Sequence, residues 1–481
     1  MSKLIQKSEE AILDNYSKYN FELFEAKDTN TTVQSSHYVN YLPINGLPKQ
    51  GGSGSIHFLI PAVAKEYVAL SETLLYLRLR LTKENGEDID MDSNVCTINL
   101  PMNTLFSEAQ IYIGGQLLSA NNNLFPYKAF IKTLLEKGGQ DGSPLANQLF
   151  TVDNNAGSLP NEQNKDPGVQ KRWKTQRWAE FDVSGKLFLD ALDIKKPLLQ
   201  GTSIEIKLWQ GRNSFNLLSG DDEKYKIVIE EAVLKLLQLQ VNDSILVAQE
   251  EALKVKNAIY EFNRIQLKTK PIQQNCSSFV WENINNSGRL PKYLVCGLTT
   301  NSCFAGDYKK SPFYFGTHKV RTIGLYLNGV SIPTREISVN YAKGLFADAV
   351  ERFTQGRETV VSRDSFTKGY ALYFFQVDVD CEKQLLNLEK NGSLRLEISF
   401  DITQDDALDI ELPDLPPPNL LPAGTTIIDA ANNQGGTTTQ PSTSADSNSA
   451  ADAAGDNGPP AKRARRSLQT ANQIKSIFQN H

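Results

Sequence analysis

The chain has 481 residues, a formal net charge of −5 at pH 7 and 40% hydrophobic residues. This length is enough for two or three domains with buried cores, and the mild charge does not favour nucleic-acid binding by the folded body. The five cysteines are scattered and odd in number, which predicts free thiols in a reducing compartment rather than a disulfide framework. No run of about 18 apolar residues is present, so we expect no membrane span. The charges within the first 13 residues argue against a signal-peptide core.

The first segment, residues 1–34, is polar and carries one short amphipathic piece, so it predicts an N-terminal arm or a surface helix. Strand-like patterns follow at 38–44 and 55–60, on either side of a glycine-rich loop at 46–54. The loop does not have the Gly-Lys-Ser/Thr ending of a phosphate-binding loop, and no helical pattern follows it. We therefore interpret it as a plain surface loop.

The next part of the chain reads as a series of short strands with few helices. Residues 74–82 alternate between apolar and polar side chains, as a half-buried strand does. Further strand patterns occur at 95–101, 108–113, 178–183, 203–209 and 225–241. This pattern favours a β-sandwich or jelly roll over any α/β arrangement, and we assign it to a first unit at 35–242.

A short helical pattern at 243–256 separates this unit from the next. Asn242 or Asp243 can cap its first turn, and Ile245, Ala248 and Ala252 lie on one stripe. We interpret it as a linking helix, so that a second unit would run from 257 to 412.

Three features of the first unit recur in the second in the same order. A hairpin pattern, an apolar helix pattern and an alternating strand pattern occur first at 111–115, 126–138 and 203–208, and then at 325–329, 346–353 and 393–398. The hairpins end in Gly-Gly and Asn-Gly, which favour the positive φ angles of a type I′ turn. The offset falls from 214 (325 − 111) to 190 (393 − 203), so the first copy has about 24 extra residues, which fit the polar run at 139–177. The chain therefore reads as one β unit present twice.

Seven segments of the chain resemble the major capsid protein of Polinton (Maverick) and adintovirus-type elements, within roughly residues 36 to 402. The segments are 107–136, 225–253, 257–271, 290–298, 304–308, 312–315 and 325–329. The resemblance implies an all-β chain of two consecutive jelly-roll domains, a double jelly roll with short helices in its loops. It also implies a homotrimer that forms pseudo-hexagonal capsomers and a capsid lattice. A minor or penton capsid protein and packaged double-stranded DNA would be further partners.

The sequence does not predict an enzyme, a cofactor or a metal site. Its four histidines (His37, His57, His318 and His481) lie away from any cysteine or acidic cluster at ligand spacing. Cys296 and Cys303 are most simply buried or half-buried free thiols. No nucleophile elbow, Walker loop or dinucleotide fingerprint is present. The resemblance then implies a function in assembly rather than in catalysis.

An aromatic cluster made of Tyr308, Phe313, Tyr314 and Phe315 is the first candidate site. It could be a platform for a sugar or a base, but in a β unit such a cluster more often lies in the core or at a subunit contact. Aromatic side chains concentrate at interface centres because they bury large rigid areas. We expect these four residues to contact another subunit.

The last segment, 413–481, begins near three prolines and continues as a polar run with almost no apolar bulk at 423–458, which predicts a disordered tail. It contains a basic motif made of Lys462, Arg463, Arg465 and Arg466. The motif is interpreted as a nuclear import signal, as a contact to packaged DNA, or as a solvated patch. An amphipathic piece at 468–478 could dock on a neighbouring capsomer or a minor capsid protein. Assembly in the host nucleus and location in the virion capsid follow as expectations.

Two other functions are compatible with the same sequence. A two-sandwich glycan- or receptor-binding protein would have a concave aromatic or polar site in one unit and no need for trimers. A host-domesticated capsid gene would keep the fold while its role has changed.

Overall fold

The structure is a computed structural model that describes residues 32–48, 54–119, 121–135, 144–285, 288–355, 359, 361–378 and 390–401, and the backbone of 424–434. The strands are β1 (Val33–Tyr41), β2 (Ser55–Ile60), β3 (Glu66–Lys83), β4 (Val95–Thr97), β5 (Phe106–Ile113), β6 (Gln116–Ser119), β7 (Glu180–Lys186), β8 (Ile204–Gln210), β9 (Leu217–Ser219), β10 (Tyr225–Val241), β11 (Asn263–Gln273), β12 (Ser278–Trp281), β13 (Tyr293–Thr300), β14 (Val320–Leu327), β15 (Val330–Ser338), β16 (Leu372–Gln376), β17 (Leu394–Phe400) and β18 (Gly424–Gln434). The α-helices are α1 (Pro101–Thr104), α2 (Phe125–Leu135), α3 (Pro167–Gln176), α4 (Asn213–Asn216), α5 (Asp243–Leu253), α6 (Asn301–Ala305), α7 (Ala347–Thr354) and α8 (Arg363–Phe366).

These strands form two sandwiches of the same topology. The first, roll 1, has one sheet in the order β1-β10-β3-β7 and another in the order β2-β8-β5-β6. The second, roll 2, has sheets in the orders β11-β18-β13-β16 and β12-β17-β14-β15, so each strand of these two roll 1 sheets has a counterpart at the same place. The short pair β4-β9 is a separate two-stranded sheet of roll 1. Two four-stranded antiparallel sheets in this order make a jelly roll. The predicted fold class, a double jelly roll, is confirmed.

The hairpins that revealed the repeat occupy equivalent positions in the two rolls. One joins β5 to β6 and the other joins β14 to β15. Gly114 and Gly115 have φ of 59° and 79°, and Asn328 and Gly329 have φ of 50° and 85°. Positive φ at both central residues is the geometry of a type I′ turn, which Gly and Asn adopt with little strain. The prediction from the Gly-Gly and Asn-Gly pairs is confirmed.

Alternation along β3 shows how roll 1 forms its core. Leu75, Leu77, Leu79 and Leu81 are fully buried between the two sheets, while the residues between them face outward. Burial of each such leucine contributes about 1.5–3 kcal/mol to the free energy of unfolding. Stacking of the two sheets is therefore the main favourable contribution to the stability of roll 1.

The linking helix forms where the sequence places it. Its first turn is capped by the Asn242 side chain, which accepts a hydrogen bond from the Ser244 N–H at 3.1 Å. Ser and Asn side chains at this position satisfy an N–H group that has no partner inside the helix.

The structure differs from the prediction at several boundaries. The strand predicted at 38–44 is β1 at Val33–Tyr41, which begins inside the predicted N-terminal arm. Roll 2 extends past the predicted boundary at 412, because β18 at 424–434 lies between β11 and β13 and completes the sheet. The rest of the predicted tail lies outside the described residues. In roll 1 the strand predicted at 95–101 ends at Thr97, and Leu100, with a positive φ of 60°, leads into α1.

Candidate assembly surfaces

Helix α2 lies between the two rolls and brings aromatic rings of both together. The Phe130 ring stacks on the Phe313 ring with centroids 4.2 Å apart, and Tyr127 stacks on Phe304 at 5.6 Å. Phe315 also lies within 6.5 Å of Tyr127. These rings belong to a buried apolar cluster that includes core residues of roll 2, so roll 2 and the contact between the rolls share one core.

The structure gives the four predicted aromatic residues different roles. Phe313 and Phe315 are 1% and 0% exposed and pack against roll 1 of the same chain. The prediction of a subunit contact is therefore corrected for these two, because their rings have no surface to offer a second chain. Tyr308 is partly exposed and donates its hydroxyl to the Tyr225 carbonyl at 3.0 Å. Tyr314 is also partly exposed, and for these two tyrosines the subunit contact stays a prediction.

Buried charged groups add to the contact between the rolls. The Lys128 ammonium lies 2.7 Å from the Asp190 carboxylate, and both side chains are almost fully buried. The other carboxylate oxygen of Asp190 accepts the Ile265 N–H of β11 at 3.3 Å, which joins roll 1 to roll 2. Burial lowers the pKa of Lys128, and the attraction to Asp190 opposes this change. A partner that stays charged is needed here, because an isolated buried charge is strongly destabilising.

The two rolls stand side by side in the same direction. We define the base of each roll as the end where its first strand begins and its last strand ends, which are joined by the pairs Val33–Val241 and Asn263–Gln434. Asp190 and Ile265 meet near the bases, and Lys196 bonds to the Ile259 carbonyl there. At the opposite end, the top, the Ser219 N–H of roll 1 donates to the Tyr308 carbonyl of roll 2 at 2.8 Å.

The segments that precede roll 1, connect the two rolls and follow roll 2 all start at the base. The chain enters β1 there, runs from β10 through α5 to β11 there, and leaves β18 there. The segment that contains the basic motif Lys462, Arg463, Arg465 and Arg466 therefore starts from the base. The motif itself lies outside the described residues, as do the N-terminal arm and the 468–478 piece.

The residues of α2 that hold the rolls together were not predicted as a site. Tyr127 and Phe130 were identified only as apolar positions of a helix. One pattern in the sequence could have identified them: α2 has apolar residues on more than one side, which is typical of a helix that is buried all round. Lys128 and Lys132 obscure this pattern, because their ion partners Asp190 and Asp193 lie about sixty positions later in the chain.

The described cysteines are free thiols rather than disulfide partners. Cys296 and Cys303 are buried free thiols, as predicted. Cys96 is also buried, and Cys276 is half-buried. Burial raises the pKa of Cys96 to about 11, so this thiol stays protonated. Among the described residues no group of three or more His, Cys, Asp or Glu side chains could hold a metal ion. None of the helices in these residues is long and apolar enough to span a membrane.

No protein-family profile matches the chain. An uncharacterised protein of Caenorhabditis elegans, F54H12.2, is 19% identical over 395 residues, which cover 77% of this chain and 91% of that protein.

Among solved structures, the Faustovirus major capsid protein is similar with a TM-score of 0.51 and 8% identity, over 86% of this chain and 92% of its own. A chain of the Sputnik virophage structure matches with a TM-score of 0.50 and 10% identity, over 87% of this chain and 89% of its own. Together with the strand order, these similarities show that the chain has a double jelly-roll fold.

Proposed function

We propose that this protein is a major capsid protein. Its trimers would form pseudo-hexagonal capsomers in the icosahedral shell of a double-stranded DNA virus or virus-like transposon. The observation that carries the proposal is the pair of rolls with one topology, aligned in parallel and fused through a common core. Three chains of this kind supply six similar units, which can tile a pseudo-hexagonal lattice. Many weak contacts then add through effective concentration.

The fold similarity to the Faustovirus major capsid protein supports a capsid role. The sequence resemblance described above favours the Polinton and adintovirus group. In this proposal the protein acts through self-assembly, without catalysis or a cofactor.

The proposal extends to the surroundings of the protein in the particle. Every outgoing segment starts at the base, so the basic motif at 462–466 would lie on the same side as the N-terminal arm. We infer that this side faces the packaged DNA and that the top faces outward. A minor or penton capsid protein would close the shell. The same motif would direct the newly made chain to the nucleus before assembly.

The first experiment measures the mass of the purified protein by light scattering, followed by negative-stain imaging. We expect a species near three times 53.5 kDa that forms hexagonal plates or shells. A protein that stays monomeric at high concentration would contradict the trimer.

A second candidate, a host-domesticated capsid protein, is favoured by the relative in Caenorhabditis elegans. It keeps the fold and the trimer but does not package its own genome. Nuclease protection separates the two candidates: a working capsid purified from its host encloses DNA that resists nuclease, whereas a domesticated protein does not.

A glycan-binding protein would instead bind immobilised glycans as a monomer.

A further inference from the structure

Three polar side chains meet in a buried cluster at the start of α2, which we call the lysine cluster. They are Lys128, Asn121 and Asp190, and their exposed fractions are 1%, 8% and 1%. Lys128 Nζ donates a hydrogen bond to Asn121 Oδ1 at 3.2 Å and lies 2.7 Å from Asp190 Oδ1. Apart from this contact, Asp190 Oδ1 has no partner among the described residues. The cluster therefore brings an amine, a carboxamide and a carboxylate together away from water.

The carboxamide of Asn121 is fixed in one orientation. Its Nδ2 donates to the Ala109 carbonyl of β5 at 2.8 Å, and its backbone N–H donates to the Glu108 carboxylate at 2.8 Å. These two bonds leave Oδ1 directed toward Lys128. A hydrogen bond to this oxygen stabilises the negative charge that develops on it when a nucleophile attacks the carbonyl carbon, Cγ. Because the amine and the carboxamide are already in contact, a reaction between them has the advantage of an intramolecular step.

An ion pair is a costly way to fill this buried space. Both charges lose their hydration, and apolar residues of similar volume are often equally or more stabilising. Helix α7, which follows β15 in roll 2 as α2 follows β6 in roll 1, has no lysine among its eight residues. A roll of this topology can therefore form without a buried lysine in this helix, and the presence of Lys128 needs an explanation other than packing.

The surroundings of Lys128 favour its uncharged form. Burial lowers the pKa of the Lys128 ammonium, and the neighbouring Asp190 carboxylate opposes this change. A buried lysine that gives up its proton is a nucleophile. Asp190 Oδ1, at 2.7 Å, lies within the distance at which a general base accepts a proton.

We propose that Lys128 and Asn121 form an intramolecular isopeptide bond once the chain has folded. Asp190 takes one proton from the ammonium, and the neutral Nζ attacks Asn121 Cγ. The Nζ–Cγ bond forms and the Cγ–Nδ2 bond breaks, and Nδ2 leaves as ammonia with a second proton from Nζ. Asp190 keeps the first proton, so a neutral amide lies beside a neutral carboxylic acid. The reaction needs no other reactant, and it removes two charges from the buried cluster.

The bond fixes the start of α2. It closes a covalent loop over residues 121–128, and the same helix carries Tyr127 and Phe130, whose rings stack on rings of roll 2. The reaction occurs once in each chain, so the protein has no turnover. The inference goes beyond the proposed function and does not depend on the trimer.

Mass spectrometry of tryptic peptides from the purified full-length chain tests the bond. Trypsin cleaves after lysine and arginine but not after an acylated lysine, and the chain has neither residue between Lys83 and Lys128. An unreacted chain gives the peptide 84–128. The cross-linked chain should instead give 84–132, lighter than its sequence mass by one molecule of ammonia. Fragmentation should place the missing mass within 121–128.

Two variants remove the reacting groups separately. In Lys128→Met, the peptide 84–132 should have its full sequence mass, because no amine is present. In Asp190→Asn, the proton acceptor is lost, and the unreacted peptide 84–128 should appear. Circular dichroism checks that each variant is folded, and the peptides of the unsubstituted chain decide the question if a variant does not fold.

Lys132→Met is the matched control on the same helix. Lys132 lies one turn after Lys128, and its partner Asp193 has a side chain that is 54% exposed. This variant should remain cross-linked. Its peptide should run from 84 to 137, where the next lysine lies, and should also lack one ammonia.

The peptide 84–128 from the unsubstituted chain would overturn the inference. Loss of one water molecule, with a link from Lys128 to Asp190, would overturn the assignment of Asn121 as the reacting group. A cross-link that forms to the same extent in Asp190→Asn would overturn the role of Asp190 in proton transfer. All three results would leave the proposed function intact, because light scattering tests that function separately.

Discussion

At the scale of single residues, the buried ion pair of Asp153 and Arg172 has a large effect on stability, because each charge needs the other once it is removed from water. The guanidinium makes two hydrogen bonds to the carboxylate, at 3.0 and 2.9 Å. Burial raises the pKa of the Asp153 carboxyl, and the positive charge of Arg172 opposes this rise. The Asp153 N–H also donates to the Tyr370 hydroxyl at 3.1 Å, which links the pair to roll 2.

Replacing one partner of this pair should cost more than replacing both. Arg172→Met leaves the Asp153 carboxylate buried without its ion partner, so we expect a loss of roughly 3–5 kcal/mol in the free energy of unfolding. The double variant with Asp153→Leu should recover most of this loss. Urea unfolding of both variants and of the unmodified chain measures the difference. Equal losses in the single and double variants would show that packing rather than charge determines the effect.

His318 should make the stability depend on pH. Burial lowers its pKa below the ordinary value of 6.5, and a hydrogen bond to the Leu298 backbone opposes this change. Below pH 6.5 the unfolded chain takes up a proton that the folded imidazole resists, so stability falls as the pH drops from 6.5 toward the folded pKa.

We expect His318→Asn to reduce this loss of stability between pH 7.5 and 5.5. Asparagine suits the site because His318 has a positive φ of 43°. Urea midpoints at the two pH values test the prediction, with the exposed His37→Asn as the control. An unchanged pH dependence in His318→Asn would contradict it.

At the scale of elements, α2 holds the two rolls together through its aromatic contacts with roll 2. Phe313→Ala removes the ring that stacks on Phe130 and leaves a cavity between roll 1 and roll 2. We expect a loss of roughly 3–5 kcal/mol, as for other buried phenylalanines. Leu345→Ala, at a position that is 62% exposed, should change stability by less than about 0.5 kcal/mol. Thermal and urea unfolding measure both, and a loss at Phe313 no larger than at Leu345 would contradict the fastening role.

Elements were predictable from the sequence wherever local chemistry determines them. The Gly-Gly and Asn-Gly turns, the alternation of 225–241 and the Asn242 cap all act within a few residues, and the structure has them in place. Strand β18 was missed because its polar surroundings dominate the composition. The β-branched run Thr425–Ile428 favours a strand, but that preference is weak without the neighbouring strands β11 and β13.

The candidate site was predictable only in part, for the same physical reason. The aromatic residues 308–315 stand out in the sequence, yet nothing local indicates whether they face a second chain or another part of their own. Phe313 stacks on Phe130, which lies 183 residues (313 − 130) earlier in the chain. Contacts of such separation depend on how the rolls pack, which one sequence does not reveal.

At the scale of the whole molecule, the shared core predicts that the two rolls unfold together. The buried cluster includes Phe130 and Trp173 of roll 1 as well as Phe313 and Leu396 of roll 2, so neither roll can unfold without exposing part of the other's core. Calorimetry should therefore show a single transition whose calorimetric and van't Hoff enthalpies agree. Two separate transitions would show that the rolls are independent domains.

The shared core also sets an order of events on the ribosome. Phe313 follows Phe130 by 183 residues (313 − 130). A chain is synthesised at about 5–20 residues per second, so Phe313 is made roughly ten to forty seconds after Phe130. During that interval a nascent chain with roll 1 complete still displays an aromatic surface. Transiently exposed apolar surface of this kind makes an incompletely folded chain prone to aggregation. The aromatic side of α2, which joins the two rolls in the finished protein, is therefore an exposed apolar surface during synthesis.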